Sequence, residues 1–175
     1  MCRSGLTALV AVLISSTAFA QTPGVASHRF DRLSISLPAS FRASTSTPPQ
    51  ERDGVRHHIG VFEDVASGRL VIVTSVSGLS RWQRVTFKRG IGHSGSANYS
   101  YDRVPLNSLP LSAGFAELAG VAYTAREAGG GTEGLLVRGC DDETCYEVAV
   151  QGPAAGAGAR GASFAGLLSG VAVGR

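Results

Sequence analysis

Cys140 and Cys145 stand at either end of the acidic turn Asp141-Asp142-Glu143-Thr144, and the runs beside them, 134–140 and 145–151, read as strands. Joining the two sulfurs across that turn would clamp the turn of a hairpin. Closing a loop of about six residues restricts the unfolded chain by roughly 2 kcal/mol in the loop-entropy model. A zinc site would need two further ligands, and none of the four histidines lies nearby in sequence. Cys-x4-Cys also lacks the spacing of redox enzymes. In an oxidising compartment the pair reads as a structural disulfide.

The N-terminus predicts the same compartment. Arg3 is a basic head, Leu6 to Ile14 a short apolar segment, and Ala18-Phe19-Ala20 a small-x-small cleavage pattern. Residues 1–20 are thus expected to be a signal peptide cleaved after Ala20, leaving 21–175 as a single domain. The apolar segment is too short to span a bilayer, which takes about 20 residues, so no membrane span is expected. Cys2 lies ahead of that segment and is lost with it, which disfavours a lipid anchor. Lysine occurs once, as Lys88, in a glycine-rich and arginine-rich chain. That is the composition of a GC-rich bacterial genome, so the protein is expected in the periplasm or secreted to the medium.

Along the chain, Leu33, Ile35 and Leu37 alternate with polar residues up to Pro38, the pattern of a half-buried strand. Residues 42–54 contain no large apolar side chain and read as an exposed loop. Runs 55–65 and 69–76 form a hairpin around Gly68, with Leu70 to Val73 apolar on both faces, as a central strand would be. Ser80 is placed to cap a short helix, with Trp82 and Val85 on one face and Arg81, Arg84 and Lys88 on another. Residues 90–114 read as a long irregular connection. Strands are expected at 116–126, 134–140 and 145–151, and Phe164, Leu167, Leu168 and Val171 give helical spacing over 160–173. Together these predict an α+β domain: an antiparallel sheet with packed helices, including a C-terminal one.

Few motifs support chemistry. Gly156 to Gly161 matches G-x-G-x-x-G, but no second strand and acidic partner follow, so it reads as a flexible connection. Gly92-His93-Ser94-Gly95-Ser96 approximates a nucleophile elbow, yet no histidine lies beyond His93 to act as its base. In a strand His57 and His58 point to opposite faces and cannot share an ion. His57, on the same face as Ile59 and Val61, is the one expected to be half-buried. Asp141, Asp142 and Glu143 lack the spacing of a calcium loop. No catalytic residue, cofactor or metal is therefore expected.

Charge is uneven. Residues 66–115 hold six basic residues against Asp102 alone, whereas 125–175 hold four arginines against six acids. Arg81, Trp82, Arg84, Lys88 and Arg89 form the candidate partner-binding group, suited to an acidic protein or an anionic envelope surface. Nucleic acid is disfavoured by the compartment and by the lack of aromatics interleaved with the basic residues, Trp82 and Phe87 being the only ones nearby.

Phe30-Asp31-Arg32-Leu33-Ser34-Ile35-Ser36-Leu37-Pro38-Ala39-Ser40-Phe41 resembles the opening strand of PsbP-like domains. Tyr146-Glu147-Val148-Ala149-Val150, followed by Phe164, Leu167 and Leu168, resembles their last strand and closing helix. The resemblance implies an antiparallel sheet between helices and a binding or assembly role without catalytic residues. The chain is accordingly expected to be a non-enzymatic binding module of the bacterial envelope. The alternatives are a small exported enzyme using His57, Glu63 and Asp64, or a secreted inhibitor or immunity-type protein.

Overall fold

Side chains alternating with a period of two shape most of the molecule. The computed structural model describes residues 24–90, 99–103, 117–127, 130–154 and 166–173. Strands β1 (Val25–Phe30), β2 (Leu33–Pro38) and β10 (Val171–Val173) form a small sheet in the order β1-β2-β10. The large sheet is built from β3 (Arg42–Arg52), β4 (Val55–Asp64), β5 (Arg69–Ser77), β6 (Tyr99–Arg103), β7 (Glu117–Glu127), β8 (Gly130–Cys140) and β9 (Thr144–Pro153). Its order is β3-β4-β5-β9-β8-β7-β6, and every pairing in both sheets is antiparallel. Helix α1 (Arg81–Arg89) lies between β5 and β6 in the chain.

The core sits between the sheets. Leu33, Ile35 and Leu37 of β2, Phe30 of β1 and Val171 of β10 meet Val71 and Val73 of β5, Val148 and Val150 of β9, and Leu135 and Val137 of β8 in one buried cluster. Register aligns these residues in rungs, Phe62-Val71-Val150-Leu135 and Gly60-Val73-Val148-Val137. Each fully buried aliphatic side chain contributes about 1.5–3 kcal/mol relative to exposure. Further along the same face the rungs become polar, with Ser75 opposite Tyr146 and Ser77 opposite Thr144. The two-residue turn Asp31-Arg32 closes the β1–β2 hairpin over that polar end.

The expected α+β architecture is not what forms. The structure is 66% strand and 12% helix, predominantly antiparallel β-sheet with only two short helical pieces among the described residues. At the C-terminus the expected helix gives way to a helical turn at 166–168 followed by β10, while 160–165 lie outside the described residues. Leu167, Leu168 and Val171 still enter the core. Gly170 makes the switch: any Cβ there would run into the Ser36 carbonyl oxygen, and the Ser36 N–H donates to Gly170 O at 2.8 Å. Val171–Val173 then continue as strand, which the β-branched Val171 favours.

Residues 42–52, expected as loop, form the long strand β3. It is a sheet edge whose side chains are nearly all exposed, so no hydrophobic alternation could announce it. Asp53 and Gly54, both with positive φ (53° and 74°), make the tight hairpin turn into β4. The β4–β5 hairpin turns at Gly68, φ 66°, as expected. Within the expected long connection lies β6, and its other described residue is Gly90; 91–98 and 104–114 lie outside the described residues. Strands β7, β8 and β9 occupy the three expected segments. β5 is central, but only its inner face is sealed: Val71 and Val73 are buried while Leu70 and Ile72 are half-exposed. No helix among the described residues is long and apolar enough to cross a membrane.

Candidate functional site

Helix α1 starts where Ser80 closes a capping box. Its hydroxyl accepts from the Gln83 N–H at 3.4 Å, and the Gln83 side chain accepts from the Ser80 N–H at 2.8 Å. Lys88 and Arg89 fall in the last turn, where they complement the helix dipole. The helix packs on the outer face of the large sheet, held by Arg138. Its guanidinium lies 4.8 Å from the Phe87 ring centre, donates to Phe87 O at 2.8 Å, and donates to Glu147 at 2.6 Å. Phe87 and Val85 are half-buried, whereas Trp82, expected beside Val85 on the apolar face, is 78% exposed. The contact belongs to Phe87 instead.

The five candidate binding residues thus divide by role. Arg84 donates to the backbone carbonyls of Asp141 and Asp142, which fastens α1 to the disulfide-closed turn between β8 and β9. Partial burial, then the neighbouring Arg84 charge, lower the pKa of Lys88. Arg81, Trp82 and Arg89 face solvent. Between the helix and the turn is a recess of about 330 Å³, lined by Arg81, Arg84, Lys88, Cys140, Asp141 and Asp142. Cys140 and Cys145 are disulfide-bonded with Cα atoms 4.0 Å apart. The Asp141 carboxylate accepts from the Glu143 and Thr144 N–H groups at 2.8 and 2.7 Å, so it organises this turn.

A second cluster forms where the Asp31-Arg32 turn of the small sheet reaches the large one. His58 Nδ1 lies 3.0 Å from Asp31 Oδ1, and its Nε2 lies 3.3 Å from the Ser46 hydroxyl. Ser75 donates to the other Asp31 oxygen. The Phe30 ring stacks on His58 at 4.3 Å, lying where a Cβ on Gly60 would come within 2.5 Å of it. Arg32 pairs with Glu143 at 3.1 Å and Asp141 at 3.5 Å. Below the turn a recess of about 200 Å³ is lined by Asp31, Arg32, Arg56, Ser75, Thr144 and Tyr146 among others. Burial, then the Asp141 charge, push the Tyr146 hydroxyl up to about 12, which keeps it protonated.

Sequence reasoning missed this cluster because Asp31, Ser46, His58 and Ser75 come from four separate segments. The available signal was parity: His58, not His57, shares its face with Gly60 and the buried Phe62. His57 is exposed, so the half-buried histidine is its neighbour. His57, Glu63 and Asp64 are not brought together, since His57 and Glu63 lie six residues apart along β4, about 20 Å at 3.3 Å per residue. The glycine-rich segment 156–161 and the elbow-like segment 92–96 lie outside the described residues. No group of His, Cys, Asp and Glu among the described residues is arranged to hold a metal ion. No protein-family model matches the chain, and no curated protein matches it.

Proposed function

We propose that this protein is an exported binding module of the bacterial envelope, acting in the periplasm or outside the cell, which docks on an acidic surface through the solvent side of α1. The observation that carries the reading is the helix itself: four basic residues, no acid, and an indole left in water. Trp and Arg are the residues enriched at binding hot spots. The disulfide-closed turn under α1 and the Arg84 contacts hold the helix rigid, so docking orders little. The PsbP-like resemblance of 30–41 and 146–150 points to the same kind of role.

Trp82 is the only tryptophan in the chain, so its emission reports docking directly. Titration with phosphatidylglycerol vesicles or polyglutamate should blue-shift or quench that emission, with phosphatidylcholine vesicles inert and the response weakening as salt rises. The Arg81→Glu/Arg89→Glu pair, which spares Arg84, should remove the response while leaving circular dichroism unchanged. Emission unmoved by both anionic probes would sink the reading.

A further inference from the structure

Ser46, His58 and Asp31 are aligned as a nucleophile, a base and a carboxylate, and they belong to a different face and different strands from α1. A carboxylate only accepts hydrogen bonds, so in the neutral imidazole His58 Nδ1–H donates to Asp31 and Nε2 is the acceptor facing the Ser46 hydroxyl. That polarity is the one acyl-transfer serines require. We propose that Ser46 is an acylatable nucleophile, with His58 as its general base and Asp31 as the positioning carboxylate, acting on small acyl esters.

Three features hold the arrangement in place. Asp31 cannot rotate freely, because its second oxygen is taken by the buried Ser75 hydroxyl. Phe30 clamps the imidazole from one face, in room that only glycine at position 60 leaves. Ser46 sits opposite Gly60 and therefore diagonal to His58 on the same face of the β3–β4 pair, where side chains are within reach of each other. A strap between the sheets would need only the Asp31 contacts to Ser75 and His58. It does not account for a solvent-exposed serine on the far nitrogen of the ring.

The chemistry balances without any other co-reactant than water. The Ser46 oxygen bonds to the ester carbonyl carbon as its proton passes to His58 Nε2. The carbon–alkoxide bond then breaks, and the leaving alkoxide takes that proton and departs as an alcohol. Water, deprotonated by the same nitrogen, attacks the acyl-serine to give the free acid and restore Ser46. β3 is the outer strand of the sheet among the described residues. Alternate backbone N–H groups along such an edge face solvent, and they are the type of donor that stabilises a developing oxyanion.

The test is covalent labelling of the full chain by a fluorophosphonate, read by peptide mass spectrometry, together with p-nitrophenyl acetate turnover. The expected result is one adduct on Ser46, absent in Ser46→Ala. Both labelling rate and turnover should fall about 10²-fold or more in His58→Gln, and by at least tenfold in Asp31→Asn. Ser46 is exposed, so Ser46→Ala should melt with the parent, and circular dichroism checks the folding of the other two. For any variant that does not fold, His57→Gln on the opposite face is the neutral comparison, and Ser46 labelling in the parent decides. No adduct on Ser46, or one that forms at an unchanged rate in folded His58→Gln, overturns the proposal. α1 docking and Ser46 acylation share no residue, so either can fail alone.

Discussion

The two faces of the large sheet are made from the same strands and the same kinds of residue, yet they are finished differently. On the inner face Val71, Val73, Val148, Val150, Leu135 and Val137 are all sealed beneath the small sheet. On the outer face Leu70, Ile72 and Leu136 are only half-covered, and Ile59 is 39% exposed. α1 reaches only part of that face, over Val76 and the disulfide end. Apolar character therefore says that a residue can be buried. Which face is buried depends on what else in the chain arrives to cover it.

Paired truncations should give the largest contrast. Ile35→Ala, under the small sheet, should cost 2–5 kcal/mol in denaturant unfolding, whereas Ile72→Ala on the outer face should cost about 1 kcal/mol or less. Equal losses would mean that the outer face is covered as well.

Alkali should attack the inner face next. Tyr146 ionises near 10 when unfolded but at about 12 in the fold, so its contribution is complete below pH 10 and is lost as pH rises from 10 to 12. The shift corresponds to roughly 2–3 kcal/mol. Stability should decline across that window, and Tyr146→Phe should flatten the decline; the phenolate absorbance band locates the titration.

On the outer face, Cys140→Ser with Cys145→Ser should cost about 2 kcal/mol, the loop-entropy value, measured as a fall in the denaturation midpoint. Smallest of all, Trp82→Ala should shift the midpoint by less than about 0.5 kcal/mol. A larger loss would mean that the indole supports the fold and is not held out for a partner.

How much of this was legible in the sequence follows the same division. β2, β4, β5, β8 and β9 were readable because each carries alternation or an apolar run, and the disulfide because Cys140 and Cys145 flank a turn. β3 was not readable, since an edge strand with both faces in water leaves no periodic trace. The C-terminus misled for a related reason: Leu167, Leu168 and Val171 are buried residues at helical spacing, but Gly170 and pairing to Ile35 decide their geometry. The α1 boundaries were written locally in Ser80 and Gln83, whereas Trp82's exposure depends on Phe87 winning the place beside Arg138. The Asp31–His58–Ser46 alignment depends on a tertiary register that no local pattern encodes.

The pairing of β10 with β2 joins Val171 to Ile35, residues near opposite ends of the described chain. During synthesis the hairpin β1–β2 can form early, but its third strand does not exist until residues 171–173 have emerged. Contacts that span so much sequence are entropically late. The β1–β2 hairpin therefore stays two-stranded until residues 171–173 are available to pair with it, so closure of the small sheet is among the last steps of folding.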